Sequence, residues 1–363
     1  MYSENQFLEA KTLLSQLIAC PSFSREEEGT CQILQAFFEK KNIPFHGLMN
    51  NIWAVNKHFD TQKPTVLLNS HHDTVKPNAS WTENPFEATF KDDKLIGLGS
   101  NDAGASLVCL ISTFCAFYNS SDLPFNLVLA ATAEEEISGK NGIEALLQAE
   151  NFPKIDWAIV GEPTDCQLAI AEKGLVVIDA KSFGKAGHAA RNEGVNAIYL
   201  AIEDILTIKN HTFSKVSNTL GPVKTTVTLI EAGKQHNVVP DVCHFTIDCR
   251  VNDSYTLEEV VEELQSLVNS ELTPRSLRLS SSKMEETHPV VLAAKEMGIE
   301  CFGSPTLSDQ SLLKCPSVKI GPGHSGRSHT ANEFIYLEEL KQGIQTYQKL
   351  LIETKKFYPL NSK

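Results

Sequence analysis

The stretch that most limits what this chain can become runs from Val66 to Asp102. It opens with the all-apolar Val66-Leu67-Leu68 and passes at once into Asn69-Ser70-His71-His72-Asp73-Thr74-Val75. A short unbroken apolar run reads as a strand buried on both faces, as in parallel sheets covered by helices. Such sheets bind ligands just beyond the carboxyl ends of their strands. A His-x-Asp at that position offers imidazole and carboxylate to a divalent metal. A further acid, Asp102, closes Gly97-Leu98-Gly99-Ser100-Asn101-Asp102 and opens the next helical pattern.

The rest of the chain supplies the sheet this strand needs. Apolar spacing predicts helices over residues 5–18, 102–118, 143–150, 289–296 and 337–352, with strands at 52–55, 127–130, 157–160 and 318–321. Ser24-Arg25-Glu26-Glu27 has the form of a capping box, predicting a helix from there to about residue 40. Strands alternating with helices imply a doubly wound, mostly parallel or mixed sheet. At Gly174 the pattern changes. Strand 175–180, helix 195–208, strands 224–230 and 243–251, helix 256–268 and strand 275–279 follow the β-α-β-β-α-β order of a ferredoxin-like unit. The expectation is one α/β domain of residues 1–173 and 284–363, interrupted by an inserted α+β domain at 174–283.

A length of 363 residues suits two domains, each able to bury its own core. The formal net charge of −13 argues against a nucleic-acid partner. The first residues carry no basic and apolar leader pattern, and the apolar-rich run 107–118 is too short and too Ser/Thr-interrupted to span a membrane. Nine scattered cysteines without a C-x-x-C read as free thiols, and a cytoplasmic protein is expected.

Four later features fall at expected strand ends or in the insertion: Glu134-Glu135-Glu136, Gly161-Glu162-Pro163-Thr164, Gly321-Pro322-Gly323-His324 through His329, and Gly184-Lys185-Ala186-Gly187-His188. Singly each has an ordinary explanation as a solvated turn or loop. Jointly they place acids and imidazoles on one rim of the inferred sheet.

These motifs resemble the acetylornithine deacetylase, succinyl-diaminopimelate desuccinylase and aminoacylase family of di-zinc amidohydrolases. The resemblance implies a zinc-binding α/β catalytic domain with an inserted dimerisation or lid domain, and a homodimer. It makes His71 and Glu162 ligands of one zinc, Glu136 and His329 ligands of the second, and Asp102 the carboxylate bridging both. It makes Glu135 the general base, Asp73 the acid that orients His71, and His188 a lid histidine serving the other subunit's active site. Asn237 and Arg250 resemble lid positions near a substrate carboxylate, and Arg327 and Ser325, in the loop before His329, are further candidates to face the substrate. The chain departs from the family's usual pattern at Glu134, where many members have Asp, and at Ala103-Gly104-Ala105 and Arg191-Asn192. These departures bear on subfamily and substrate.

Two Zn²⁺ per chain are therefore expected, with Co²⁺ able to substitute, and the partner is a small N-acyl amino acid. The expected reaction removes an acyl group from an N-acyl-L-amino acid, with N-acetylornithine first and N-acetylcitrulline, N-acetyl-lysine and N-succinyl substrates open. A metallo-exopeptidase is the nearest rival, because the same dinuclear site cleaves peptides. A non-catalytic dimeric scaffold is a third reading, disfavoured by the intact ligand set.

Overall fold

The apolar run at Val66 lies inside strand Thr65–His71, whose seven residues are all buried. The computed structural model describes residues 2–358. The chain divides into two compact units, Met1–Ile170 with Lys283–Phe302 and Ser308–Lys363, and Ala171–Ser282 with Gly303–Leu307.

The first unit is built on a mixed sheet. Asn126–Thr132, Thr65–His71, Trp157–Gly161 and Ser317–Ile320 lie side by side and parallel. Asn51–Val55 and His46–Leu48 add antiparallel strands beyond Asn126–Thr132, and Leu168–Glu172 pairs antiparallel beyond Ser317–Ile320. Side chains alternate across the pleat. Val66, Leu68, Leu127, Leu129, Trp157 and Ile159 therefore face one core, with helices Glu4–Ile18, Ala105–Phe117 and Leu337–Lys356. Leu67, Val128, Ala130 and Ala158 face the other, beneath helix Ile143–Gln148. Burial on both faces is why these strands read as unbroken apolar runs. The apolar helix Ala105–Phe117 is a core helix, buried throughout Ala105–Phe114.

The second unit is a four-stranded antiparallel sheet in the order Lys224–Ala232, Val242–Val251, Gly174–Phe183, Glu271–Pro274. Helices Ala197–Asn210 and Leu257–Leu267 close its core against Val176, Ile178, Phe245 and Ile247. This is the split β-α-β arrangement. A separate ribbon pairs Gly187–His188 with Val238–Val239.

Two local expectations are corrected. The last strand of this sheet is Glu271–Pro274 and not 275–279, because residues 271–274 hold the register against Lys181–Ile178. Residues 275–279 alternate as convincingly, but the proline falls where an edge strand tolerates losing a donor. The capping box at Ser24 does not form. The second helix begins at Glu28 without a side-chain cap, and Arg25 at φ 77° turns the chain off the helical path. Ser24 Oγ donates instead to Asp73 Oδ2 at 2.7 Å.

Candidate metal centre

The parallel register puts several chain segments at one rim. His71 pairs with Thr132, Asn69 with Val160, and Ile320 with Gly161. The segments leaving those strands carry Glu135 and Glu136, Glu162, and the loop to His329. Asp102 enters from the turn that starts helix Ala105–Phe117.

Two groups able to hold a metal ion result. His71, Asp102 and Glu162 offer donor atoms within 4.8 Å of one another, and so do Asp102, Glu136 and His329. His71 Nε2 lies 3.4 Å from Asp102 Oδ1 and 3.8 Å from Glu162 Oε1. His329 Nε2 lies 3.7 Å from Asp102 Oδ2 and 2.9 Å from Glu136 Oε2. Each Asp102 oxygen thus faces a different imidazole. Glu135 Oε2 is 3.8 Å from His71 Nε2 yet belongs to neither group. It is a carboxylate beside the centre that both groups leave unused.

Asp73 does more than orient an imidazole. His71 Nδ1 is 3.0 Å from the Asp73 carbonyl oxygen and 3.4 Å from its carboxylate, so the main chain makes the closer contact. The Asp73 carboxylate accepts the backbone N–H groups of Glu135 at 3.1 Å and Glu136 at 3.2 Å, besides the Ser24 hydroxyl. One residue therefore fixes His71 through its backbone and the two glutamates through its side chain.

The electrostatics call for a cation. Burial pushes the Glu135 and Glu162 carboxyls well above the ordinary carboxylate range, and neighbouring acids push them further. Burial alone would lower the pKa of His71, but Glu135, Asp102, Asp73 and Glu162 overcome it and drive it well up. The bond to Glu136 raises His329 to about 8. His71 Nε2 and Glu136 Oε1 are buried without a hydrogen-bond partner among the described residues, which is expensive unless something else binds them. Imidazole nitrogen and carboxylate oxygen suit zinc. The donor set fits a divalent ion in each group.

Several positions carried no signal for the role they have here. Ser24 holds Asp73. Ser328 hydrogen-bonds Asp102 and helps keep its carboxyl low, after the larger effect of His71. Asp309 is buried, accepts from Asn69 Nδ2 and Thr132 Oγ1, both at 2.7 Å, and is pushed up to about 6 by burial. Glu333 receives backbone donors from the Asp102 turn. Ser328 and Glu333 stood inside the His329 motif, and Ser24 in a pattern that pointed to a helix cap instead.

Of the remaining candidates, Arg327 belongs to the first unit and Arg250, His188 and Asn237 to the second. Arg327 forks onto Glu339 at 2.6 and 2.9 Å and lies over the Phe334 ring, so its guanidinium is engaged. In the second unit, Arg250 forks onto Asp248 at 2.9 and 3.1 Å. His188 is exposed on the short ribbon opposite Val238. Asn237 adjoins that ribbon, its carbonyl accepting from Ala189 N at 3.0 Å.

The chain matches Peptidase family M20/M25/M40 over residues 67–353. It belongs to this family. Membership makes it a metal-dependent hydrolase acting on amide C–N bonds. Among curated proteins it is similar to the acetylornithine deacetylase of Buchnera aphidicola, 26% identical over 86% of this chain and 85% of that one. It is also similar to the succinyl-diaminopimelate desuccinylase of Wolbachia pipientis, 24% identical over 96% of this chain and 94% of that one. Among solved structures it shares its fold with a family member from Bacillus subtilis described as a dinuclear metal-binding peptidase. The TM-score is 0.77 at 15% identity, covering 98% of this chain and all of the other.

Proposed function

We propose that this chain is a di-zinc deacylase that releases a small acyl group from an N-acyl-L-amino acid, with N-acetylornithine the first candidate substrate. The observation that carries the reading is Asp102, whose two carboxylate oxygens face His71 and His329 separately. His71, Glu162 and Asp102 would hold one ion, and Glu136, His329 and Asp102 the other, with Co²⁺ able to replace zinc. A bound pair of such ions lowers the pKa of water and polarises a carbonyl.

Glu135 is the proposed proton carrier. Its backbone is pinned to Asp73, and its carboxylate stands beside the ligands without belonging to either group. As the carbonyl carbon gains the water oxygen, Glu135 takes the water's proton. It delivers that proton to the amide nitrogen as the C–N bond breaks. Burial suits the role, because it raises the carboxyl above its ordinary range and so favours uptake of the water's proton. His188 is the proposed donor to the developing oxyanion, and Asn237 and Arg250 the proposed contacts for the substrate carboxylate. Arg250 would have to exchange Asp248 for the substrate.

The proposed assembly is a homodimer formed through the second unit. Helix Ala197–Asn210 exposes Tyr199 at 66%, Ile202 at 43% and Leu206 at 48%, and the edge strand Lys224–Ala232 exposes Leu229 and Ile230. An apolar helix stripe beside an unpaired strand edge suits a second copy of the same surface.

The test is a kinetic panel of N-acetylornithine, N-acetylcitrulline, N-acetyl-lysine, their N-succinyl analogues and free-amine dipeptides, each with and without chelator. Selective, chelator-sensitive hydrolysis of an N-acyl amino acid supports the proposal. Preference for dipeptides assigns the chain to the exopeptidases, and chelator-resistant turnover removes the metal from the account.

A further inference from the structure

Asp102 is the only residue in both ligand groups, and its own turn has no strand to hold it. A metal ligand must be fixed before the ion arrives, and the groups that fix it usually matter nearly as much as the ligand. Here one buried side chain gathers most of the turn's backbone donors. Glu333 is 2% exposed. Its Oε1 accepts the backbone N–H groups of Asn101 and Asp102, both at 2.8 Å, and its Oε2 accepts that of Gly99 at 3.0 Å. The Glu333 carbonyl accepts a fourth N–H, from Gly97, at 3.0 Å.

Glu333 also ties this turn to the segment that supplies His329. It sits four residues beyond His329, immediately before strand Phe334–Tyr336, which pairs with Lys94–Ile96 just ahead of the Gly97 turn. Asn332 anchors the same segment by accepting from the backbone of Thr82 and Glu83 at 3.0 and 3.1 Å. Asn101 adds a second tie, accepting from His324 N at 3.1 Å and donating to His324 O at 3.2 Å. The loop bearing one terminal imidazole and the turn bearing the shared carboxylate are thus clamped as one piece.

We infer that Glu333 is a positioning residue for both metals at once: its carboxylate gathers the backbone of the Asp102 turn and sets the shared ligand against His329. The inference rests on the dinuclear reading above. It predicts a pattern that loss of a terminal ligand does not. Because Asp102 serves both groups, freeing its turn weakens both equivalents together, whereas losing His329 weakens one.

The experiment is Zn²⁺ titration of metal-free protein, by calorimetry or competition with a chromophoric chelator, at a temperature where circular dichroism shows each variant folded. Glu333→Ala is expected to weaken both equivalents by about 10- to 100-fold. Glu333→Gln keeps one acceptor oxygen but presents an amide to the third N–H, so it should weaken both by a smaller factor and provides the test if the alanine variant does not fold. Glu286→Gln, which breaks an exposed pair with Lys295 away from the cluster, is the control and should bind as wild type. Wild-type affinity for both equivalents in folded Glu333→Gln or Glu333→Ala, with only a lower melting temperature, overturns the inference. So does weakening confined to one equivalent. Wild-type protein that binds no zinc overturns the dinuclear reading instead.

Discussion

His71 and His72 are adjacent in sequence and lie in opposite surroundings. His71 faces four carboxylates, and its pKa is driven up. His72 is buried between the Thr30 hydroxyl at 2.8 Å and the Asn50 carbonyl at 2.9 Å, and burial draws it down to about 4. A histidine whose folded pKa lies below its unfolded value favours the fold only while neutral. Its contribution is complete above about pH 6.5 and is lost as pH falls towards 4. A shift of this size corresponds to about 3 kcal/mol. Metal-free protein should therefore lose stability across that window in denaturant titrations, and His72→Gln should flatten part of the slope. His288, also drawn to about 4 by burial, supplies another part. Glu135→Gln should reduce kcat by at least about 10²-fold with zinc content unchanged. A loss of zinc in that variant would return Glu135 to the ligand set. Arg327→Ala should lower the melting temperature more than it raises KM, since its fork is spent on Glu339.

At the scale of elements, the rim is made by close packing as much as by register. Gly321 ends strand Ser317–Ile320 where an added Cβ would meet Ser106 Oγ at 2.2 Å, the Glu162 carbonyl oxygen at 2.6 Å and Tyr347 Oη at 2.8 Å. Gly321→Ala should cost about 1–3 kcal/mol by overpacking, and should weaken zinc binding because Glu162 must shift. Equilibrium unfolding and zinc titration check the two halves. The strands and the candidate donors that the fold brings together were legible because burial on both faces writes unbroken apolar runs, and because a metal donor needs a particular side chain at a strand end. The supports were not legible. Ser24 had the pattern of a helix cap, yet its hydroxyl serves Asp73, 49 residues away. Asp309 reads as an ordinary loop acid until the fold brings Asn69 and Thr132 to it. A local pattern cannot encode a partner that only tertiary structure delivers. Alternation at 275–279 misled for the related reason that two adjacent segments were equally strand-like, and pairing with Lys181–Ile178 selected one.

For the molecule as a whole, the proposed dimer face can be tested apart from the chemistry. Tyr199→Glu with Leu206→Glu should convert a dimer into a monomer by light scattering while leaving zinc stoichiometry unchanged. A wild-type monomer at micromolar concentration would remove the dimer from the account. Bound metal should also stabilise the fold by mass action, by about 2.7 kcal/mol at a free concentration a hundredfold above its dissociation constant. Chelation should therefore lower the melting temperature of wild type and leave a Glu136→Ala, His329→Ala double variant less affected.

The ties at the rim join residues far apart along the polypeptide: Asn69 to Asp309 across 240 positions, and Asp102 to Glu333 across 231. Nothing synthesised before His329 can assemble both halves of the centre. The donors of the first group, His71, Asp102 and Glu162, are all present in sequence by residue 162, whereas the second group, Asp102, Glu136 and His329, waits for the segment that carries His329. The two metal positions therefore differ in how much of the polypeptide each needs before its donors exist together.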